Sequence, residues 1–163
     1  MKVPFLDLKA SYTEIQDEIE SAVLGSIRSG QYIGGDSLYS FESSFKGFVC
    51  SDYCIGVANG LDALIICLKS LGISEGDEVI VPSLTFIATA TSVSLTGATP
   101  VFADVEADTL LLDPIDAMKR VTPRTRAVIP VHLFGQCAEV APYRDSGLTV
   151  VEDAAQALGA TDE

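Results

Sequence analysis

Several short apolar runs in this chain are followed at once by side chains that can bind or react. These are Asn59-Gly60-Leu61-Asp62, Pro82-Ser83-Leu84-Thr85-Phe86, His132-Leu133-Phe134-Gly135-Gln136 and Glu152-Asp153-Ala154-Ala155-Gln156. At Gly60 the absence of a Cβ lets the chain turn into a helix, leaving the amides of Gly60, Leu61 and Asp62 to face an anion. Phosphate is the natural guest at such a helix start. The same Asn-Gly pair also makes an ordinary turn, with Asp62 as a first-turn carboxylate. Phe86 can lie flat on an aromatic ligand, where stacking contributes roughly 0.5–1.5 kcal/mol beyond burial, or pack as a core ring. His132 is the single imidazole of the chain, able to serve as acid, base or structural residue. Asp153 would need a cationic partner if it pointed into a partly dry cleft; as a helix N-cap it would instead accept amide hydrogen bonds.

Together these positions supply an anion nest, a stacking ring, a carboxylate and an amide side chain. The set suits a flat, phosphorylated heteroaromatic whose ring nitrogen is kept protonated. Pyridoxal phosphate has a phosphate, a planar pyridine and a phenolic oxygen, and a carboxylate against the pyridine nitrogen would preserve its positive charge.

Positioning such residues on one rim requires a particular order of elements. Tyr12, Ile15, Ile19, Val23 and Ile27 recur with helical spacing, and Ser29-Gly30 stops the run. A second amphipathic stretch places Leu38, Phe41, Phe45 and Phe48 inward. Strands are predicted at Ile55–Val57, Glu78–Val81, Thr99–Ala103, Ala127–Val131 and Leu148–Val151. Helices are predicted over Leu61–Leu71, Phe86–Leu95 and Pro114–Arg120, with a short turn over Val140–Arg144. Strands apolar on both faces, alternating with helices, call for an α/β fold: a mostly parallel sheet covered on both sides, three layers in all. In such a sheet ligands sit beyond the carboxyl ends of the strands. Residues 1–50 read as a helical arm and 51–163 as the α/β domain, with no evident linker.

Composition narrows the function classes. The chain has 163 residues, 10 Lys plus Arg against 23 Asp plus Glu, and a net charge of -13. So acidic a chain does not suit nucleic acid or an anionic membrane. Cys50, Cys54, Cys67 and Cys137 lack the paired spacing of a zinc site and read as small hydrophobes of a reducing compartment. The start Met-Lys-Val-Pro-Phe-Leu-Asp is not a signal peptide, and no stretch approaches the roughly 20 apolar residues of a membrane span. A cytoplasmic location is expected.

The motifs Asn59-Gly60-Leu61-Asp62-Ala63-Leu64, Gly76–Pro82, Thr85-Phe86-Ile87-Ala88-Thr89, Thr122–Ala127, Pro130–Gly135 and Glu152–Ala157 resemble, in order, those of the DegT/DnrJ/EryC1/StrS aminotransferases. The opening Pro4-Phe5-Leu6-Asp7-Leu8 fits as well, and together with Asn59–Leu64 is similar to the branch acting on dTDP-3-keto-6-deoxyhexoses. The resemblance implies the large domain of the aspartate-aminotransferase fold, pyridoxal phosphate as cofactor, and amine transfer from an amino acid such as glutamate to a nucleotide-linked keto-sugar. It implies a homodimer. Gly60 and Leu61 would hold the cofactor phosphate by their amides, Phe86 would stack on the pyridine, Asp153 would pair with the ring nitrogen, and Gln156 would bond the phenolic oxygen. His132 is a further candidate at the site. Where Leu61 stands many relatives have Thr or Ser, so the hydroxyl contact is missing here.

The family's Schiff-base lysine would lie beyond Glu163. Lys2, Lys9, Lys46, Lys69 and Lys119 fall on predicted helices or near the start. The chain is therefore expected to be a truncated aminotransferase, inactive alone. The Ala138–Gly147 stretch is about one helical turn shorter than in the family. A phosphate-binding remnant that pairs with a full-length subunit and a sugar dehydratase with histidine in place of the lysine are alternative readings. A dinucleotide module is disfavoured by the lack of Gly-x-Gly-x-x-Gly after any strand. Cationic contacts to a sugar nucleotide would have to come from outside this acidic chain.

Overall fold

The structure is a computed structural model that describes residues 3–161, so Lys2 lies outside the described residues. It divides into two compact units, one ending at Gly56 and the other beginning at Val57.

The first unit holds helices α1 (Leu8–Glu14), α2 (Gln16–Ser29) and α3 (Asp36–Phe48). Asp7 caps α1 by accepting from the Ala10 amide at 3.0 Å. The single helix predicted through Tyr12 and Ile27 is broken at Ile15, whose φ of -126° is not helical. Gly30, at φ +70°, ends α2 in a left-handed cap that a side chain would strain. The inward placement expected for the α3 apolar face is not realised: Leu38 and Phe45 are half-buried, while Phe41 and Phe48 are exposed. Burying an amphipathic stripe takes a second layer against it, and three helices within this unit do not provide one.

Ile55–Val57, predicted as a strand, is not one. The Gly56 amide donates to Glu42 Oε1 at 2.7 Å, so the backbone is satisfied by a side chain and not by a ladder. A Cβ at Gly56 would stand 2.7 Å from Leu38 Cδ1, so a larger residue here would make the Leu38 side chain shift.

The second unit is a helix–sheet–helix sandwich. Strands β1 (Glu78–Pro82), β2 (Thr99–Ala103), β3 (Thr125–Val128) and β4 (Thr149–Val150) are all parallel, in the order β2-β1-β3-β4. β1 is buried along its whole length, as expected of a central parallel strand. Its side chains alternate between the two faces. Val79 and Val81 join Leu64 and Leu68 of helix α4 (Gly60–Ser70) and Ala90 and Val93 of α5 (Ala88–Leu95). Ile80 faces the other way, into a cluster with Ala117 of α6 (Pro114–Lys119) and Tyr143 of α7 (Ala141–Asp145). Burial, with the nearby carboxylates of Asp113, Glu139 and Glu106, pushes the Tyr143 phenol far above its ordinary range, so it stays neutral wherever the fold survives. Among the described residues no helix is long and apolar enough to cross a membrane.

The amino end of β1 carries a buried carboxylate. Glu78 accepts from Thr122 Oγ1 at 2.5 Å and from Arg124 Nε at 2.9 Å, and it also pairs with Arg124 Nη2. The Thr122 hydroxyl, then the Arg124 guanidinium, hold its pKa below the usual carboxylate range. A folded-state pKa below the unfolded one, near ~4.3, gives stability that is present above that value and lost as pH falls through the lower folded one. Thermal melts should therefore drop on acidification below about pH 4.3. Glu78→Gln should be less stable at pH 7 and show a shallower fall; an identical acid slope in the two proteins would contradict this.

Candidate cofactor site

At the carboxyl ends of the strands lies a cavity of about 430 Å³, within the range of small-ligand sites. Gly60, Leu61, Phe86, Asp153 and Gln156 all line it, together with Asn59, Thr85, Ala88, Val131, Leu133 and Ala155.

The start of α4 forms one wall. Asn59 is extended, and its Oδ1 accepts from the Asp62 amide at 2.9 Å while its Nδ2 donates to Asp62 Oδ2 at 3.0 Å. The expectation of free amides at Gly60, Leu61 and Asp62 is thus corrected: Asn59 takes the third as an N-cap. The amides of Gly60 and Leu61 have no hydrogen-bond partner among the described residues. Apart from its chain neighbours and the backbone of its own helix, no protein atom stands within 4 Å of where a Gly60 Cβ would be. These first-turn donors, with the positive end of the helix behind them, form a local anion-binding geometry. Phe86 stands in the opening, its side chain mostly exposed.

Asp153 is fixed from several directions. Its amide donates to Pro130 O at 3.0 Å and its carbonyl accepts from the His132 amide at 3.0 Å, extending the β3–β4 ladder past the strand ends. Its Oδ1 accepts from the Ala155 amide at 3.2 Å, an Asx turn that takes the place of the helix expected after it. Its Oδ2 accepts from Thr89 Oγ1 at 3.2 Å, and Thr85 Oγ1 lies 3.0 Å from Thr89 Oγ1. Since Thr89 spends its proton on Asp153, Thr85 must be the donor to Thr89. Sequence reasoning did not single out Thr89. The available signal was its spacing, four residues after Thr85 within Thr85-Phe86-Ile87-Ala88-Thr89; its full burial is evident only in the structure. Among the described residues Asp153 has no ion-pair partner, so its charge is left for a cation in the cavity.

Gln156 Oε1 accepts from the Phe134 amide at 3.0 Å. That bond assigns the side-chain orientation and leaves the NH₂ group as the donor available to an occupant. His132 does not line the cavity. Its ring is buried, with Nδ1 accepting from the Ala138 amide at 2.9 Å and Nε2 3.0 Å from Glu152 Oε2. Lys9, Lys46, Lys69 and Lys119 all sit on helices, and none lines the cavity.

The sequence profile of the DegT/DnrJ/EryC1/StrS aminotransferase family matches residues 13–163. The chain belongs to this family. Among curated relatives it is 48% identical over 163 residues to dTDP-3-amino-3,4,6-trideoxy-alpha-D-glucose transaminase of Streptomyces venezuelae, covering 98% of this chain and 43% of the relative. It is 44% identical to UDP-2-acetamido-2-deoxy-3-oxo-D-glucuronate aminotransferase of Pseudomonas aeruginosa, covering 98% and 45%. Among solved structures, S. venezuelae DesV in complex with a ketimine intermediate superposes with a TM-score of 0.93 at 48% identity, over 97% of this chain and 44% of DesV. The chain spans less than half the length of these proteins. The architecture of the second unit is that of the family, and the similarity covers all the strand ends that build the cavity.

Proposed function

We propose that this chain is the cofactor-cradling part of a pyridoxal-phosphate-dependent aminotransferase that moves an amino group from an amino acid, with glutamate the expected donor, to a nucleotide-linked keto-sugar. The observation that carries the reading is one cavity holding two unpartnered helix-start amides, an unpaired carboxylate, a free amide NH₂ and an exposed aromatic ring. Each matches a feature of pyridoxal phosphate. Gly60 and Leu61 would donate to the phosphate, Asp153 would accept from the protonated ring nitrogen, Gln156 would donate to the phenolic oxygen and Phe86 would stack on the ring. When bound, the cofactor supplies an electron sink for chemistry at the substrate amine carbon. The chain's own residues hold and orient: Thr85 and Thr89 keep the Asp153 carboxylate aimed, and the Phe134 amide keeps Gln156 turned as a donor.

The names of the relatives support a nucleotide-sugar substrate, and a cytoplasmic location and assembly with a second copy belong to the same reading. The apolar residues exposed along α2 and α3, such as Val23, Ile27, Phe41 and Phe48, support association. The resemblance places the family's Schiff-base lysine after Gln156, and the stretch Ala157–Glu163 contains no lysine.

Equilibrium dialysis and fluorescence titration test the reading. The chain is expected to take up one equivalent of pyridoxal phosphate saturably, with inorganic phosphate competing and without the absorbance band of a lysine-bound cofactor. Glutamate should be converted no faster than by free cofactor. Absence of saturable uptake would overturn the binding role; glutamate turnover would overturn the inactivity of this chain.

Gly60→Pro isolates the phosphate contact. Proline suits the first position of a helix, and Asn59 already has the extended backbone that a following proline demands. Only one donor is lost, so the melting temperature should hold while cofactor affinity falls roughly tenfold. Unchanged affinity would remove this amide from the phosphate site.

A further inference from the structure

We infer that His132 is a positioning residue for Gln156, acting through the loop it closes in its Nε2–H tautomer; the importance of Gln156 rests on the cofactor reading above. The Nδ1 atom accepts from the Ala138 amide at 2.9 Å, so that nitrogen carries no proton and the ring proton of the neutral imidazole sits on Nε2. From there it donates to Glu152 Oε2 at 3.0 Å. The two bonds tie the end of the β3 extension to Glu152, which directly precedes the cavity residue Asp153, and to Ala138, which closes the segment from 132 to 138.

Inside that closed segment the backbone is held in a conformation that a free loop would avoid. Phe134 has φ +57° and Gly135 φ +87°, both left-handed, and at a bulky residue such as Phe134 this geometry is disfavoured unless its surroundings enforce it. Leu133 and Ala138 are buried with Leu111 and Val131, which anchors the two ends of the loop. The product of this geometry is a Phe134 amide that points at Gln156 Oε1, 3.0 Å away. The chain of dependence is therefore His132 Nδ1, the Ala138 amide, the left-handed Phe134 and the orientation of the Gln156 amide. His132 itself stays outside the cavity.

NMR of the ¹⁵N-labelled chain without cofactor tests this. In the wild type the His132 ring shifts should report an unprotonated Nδ1 and a protonated Nε2 at neutral pH; the opposite tautomer would overturn the inference without any variant. His132→Asn places an oxygen near the Nδ1 position and should keep the Phe134 amide protection and the Gln156 NH₂ shifts of the wild type. His132→Gln reaches toward Glu152 but abandons Ala138. It should speed Phe134 amide exchange roughly five- to tenfold, the scale of one lost neutral hydrogen bond, and move the Gln156 NH₂ signals toward those of a free side chain. A merely space-filling histidine would make the two variants alike, and that result would refute the role. In cofactor titrations the Asn variant should bind as the wild type does and the Gln variant several-fold more weakly. Should the NMR pattern hold while neither variant nor wild type binds pyridoxal phosphate, the positioning role stands and the cofactor reading is what fails.

Discussion

Replacing Asp153 with alanine should weaken pyridoxal phosphate binding by about 10- to 100-fold, the largest loss expected from any side chain lining the cavity. The scale follows from a charge-assisted hydrogen bond, about 1.5–3 kcal/mol, at roughly 1.4 kcal/mol per tenfold. The carboxylate is prearranged: Ala155 and Thr89 hold its two oxygens at 3.2 Å each, and its backbone is part of the ladder. A bound cation therefore meets a group that costs little further ordering. Asp153→Asn separates charge from shape. Its oxygen can still accept from Ala155 and its NH₂ can face Thr89 Oγ1, so the melting temperature should stay near that of the wild type while affinity falls almost as far as in the alanine variant. Isothermal titration with both variants checks this; an Asn variant that binds like the wild type would show that charge on Asp153 is not used.

The second large effect concerns the scaffold. Leu68→Ala should cost about 2–5 kcal/mol, the usual range for truncating a fully buried leucine, out of a total stability on the order of 5–15 kcal/mol. Leu68 is completely buried on the inner face of α4, in the cluster with Val79, Val81 and Val93. Because the cluster seats α4 on the sheet, its loss should also loosen the Gly60 and Leu61 amides. The urea midpoint should fall by on the order of 1 M or more. Lys69→Ala, next door on the exposed side, should change stability by less than about 0.5 kcal/mol. Equal midpoints for Leu68→Ala and Lys69→Ala would contradict the packing described.

The parts of the fold that could be read in the sequence are those set by local pattern. Thr99–Ala103 has the predicted ends, since the short run Thr99-Pro-Val-Phe-Ala103 lies between Gly97 and Asp104, and the helix predicted from Pro114 to Arg120 starts at Pro114 as expected and ends one residue earlier, at Lys119. Ile55–Val57 carries a strand's composition, yet a strand exists only where another pairs with it, and Glu42 claims the Gly56 amide instead. The run from Tyr12 to Ile27 keeps one period across the break at Ile15, so periodicity alone cannot reveal that break.

The strand-end rule directed attention to Phe86, Asp153 and Gln156, and to Gly60 and Leu61 through a strand at Ile55–Val57 that does not form; all five nonetheless line one cavity. What the residues alone could not show were contacts between segments far apart in the chain. Thr89 meets Asp153 across 64 positions, and the Phe134 amide meets Gln156 only through a left-handed backbone. The short α7 does not prevent Asp153 from reaching the cavity, because the rungs to Pro130 and His132 fix it independently of that helix.

The most direct test is a crystal of this chain soaked with pyridoxal phosphate. The phosphate is expected against the amides of Gly60 and Leu61, the pyridine nitrogen beside the Asp153 carboxylate and the ring on Phe86, all from one molecule. Density that places the phosphate elsewhere, or a ring that leaves Asp153 without contact, would contradict a single cofactor cradle at these strand ends.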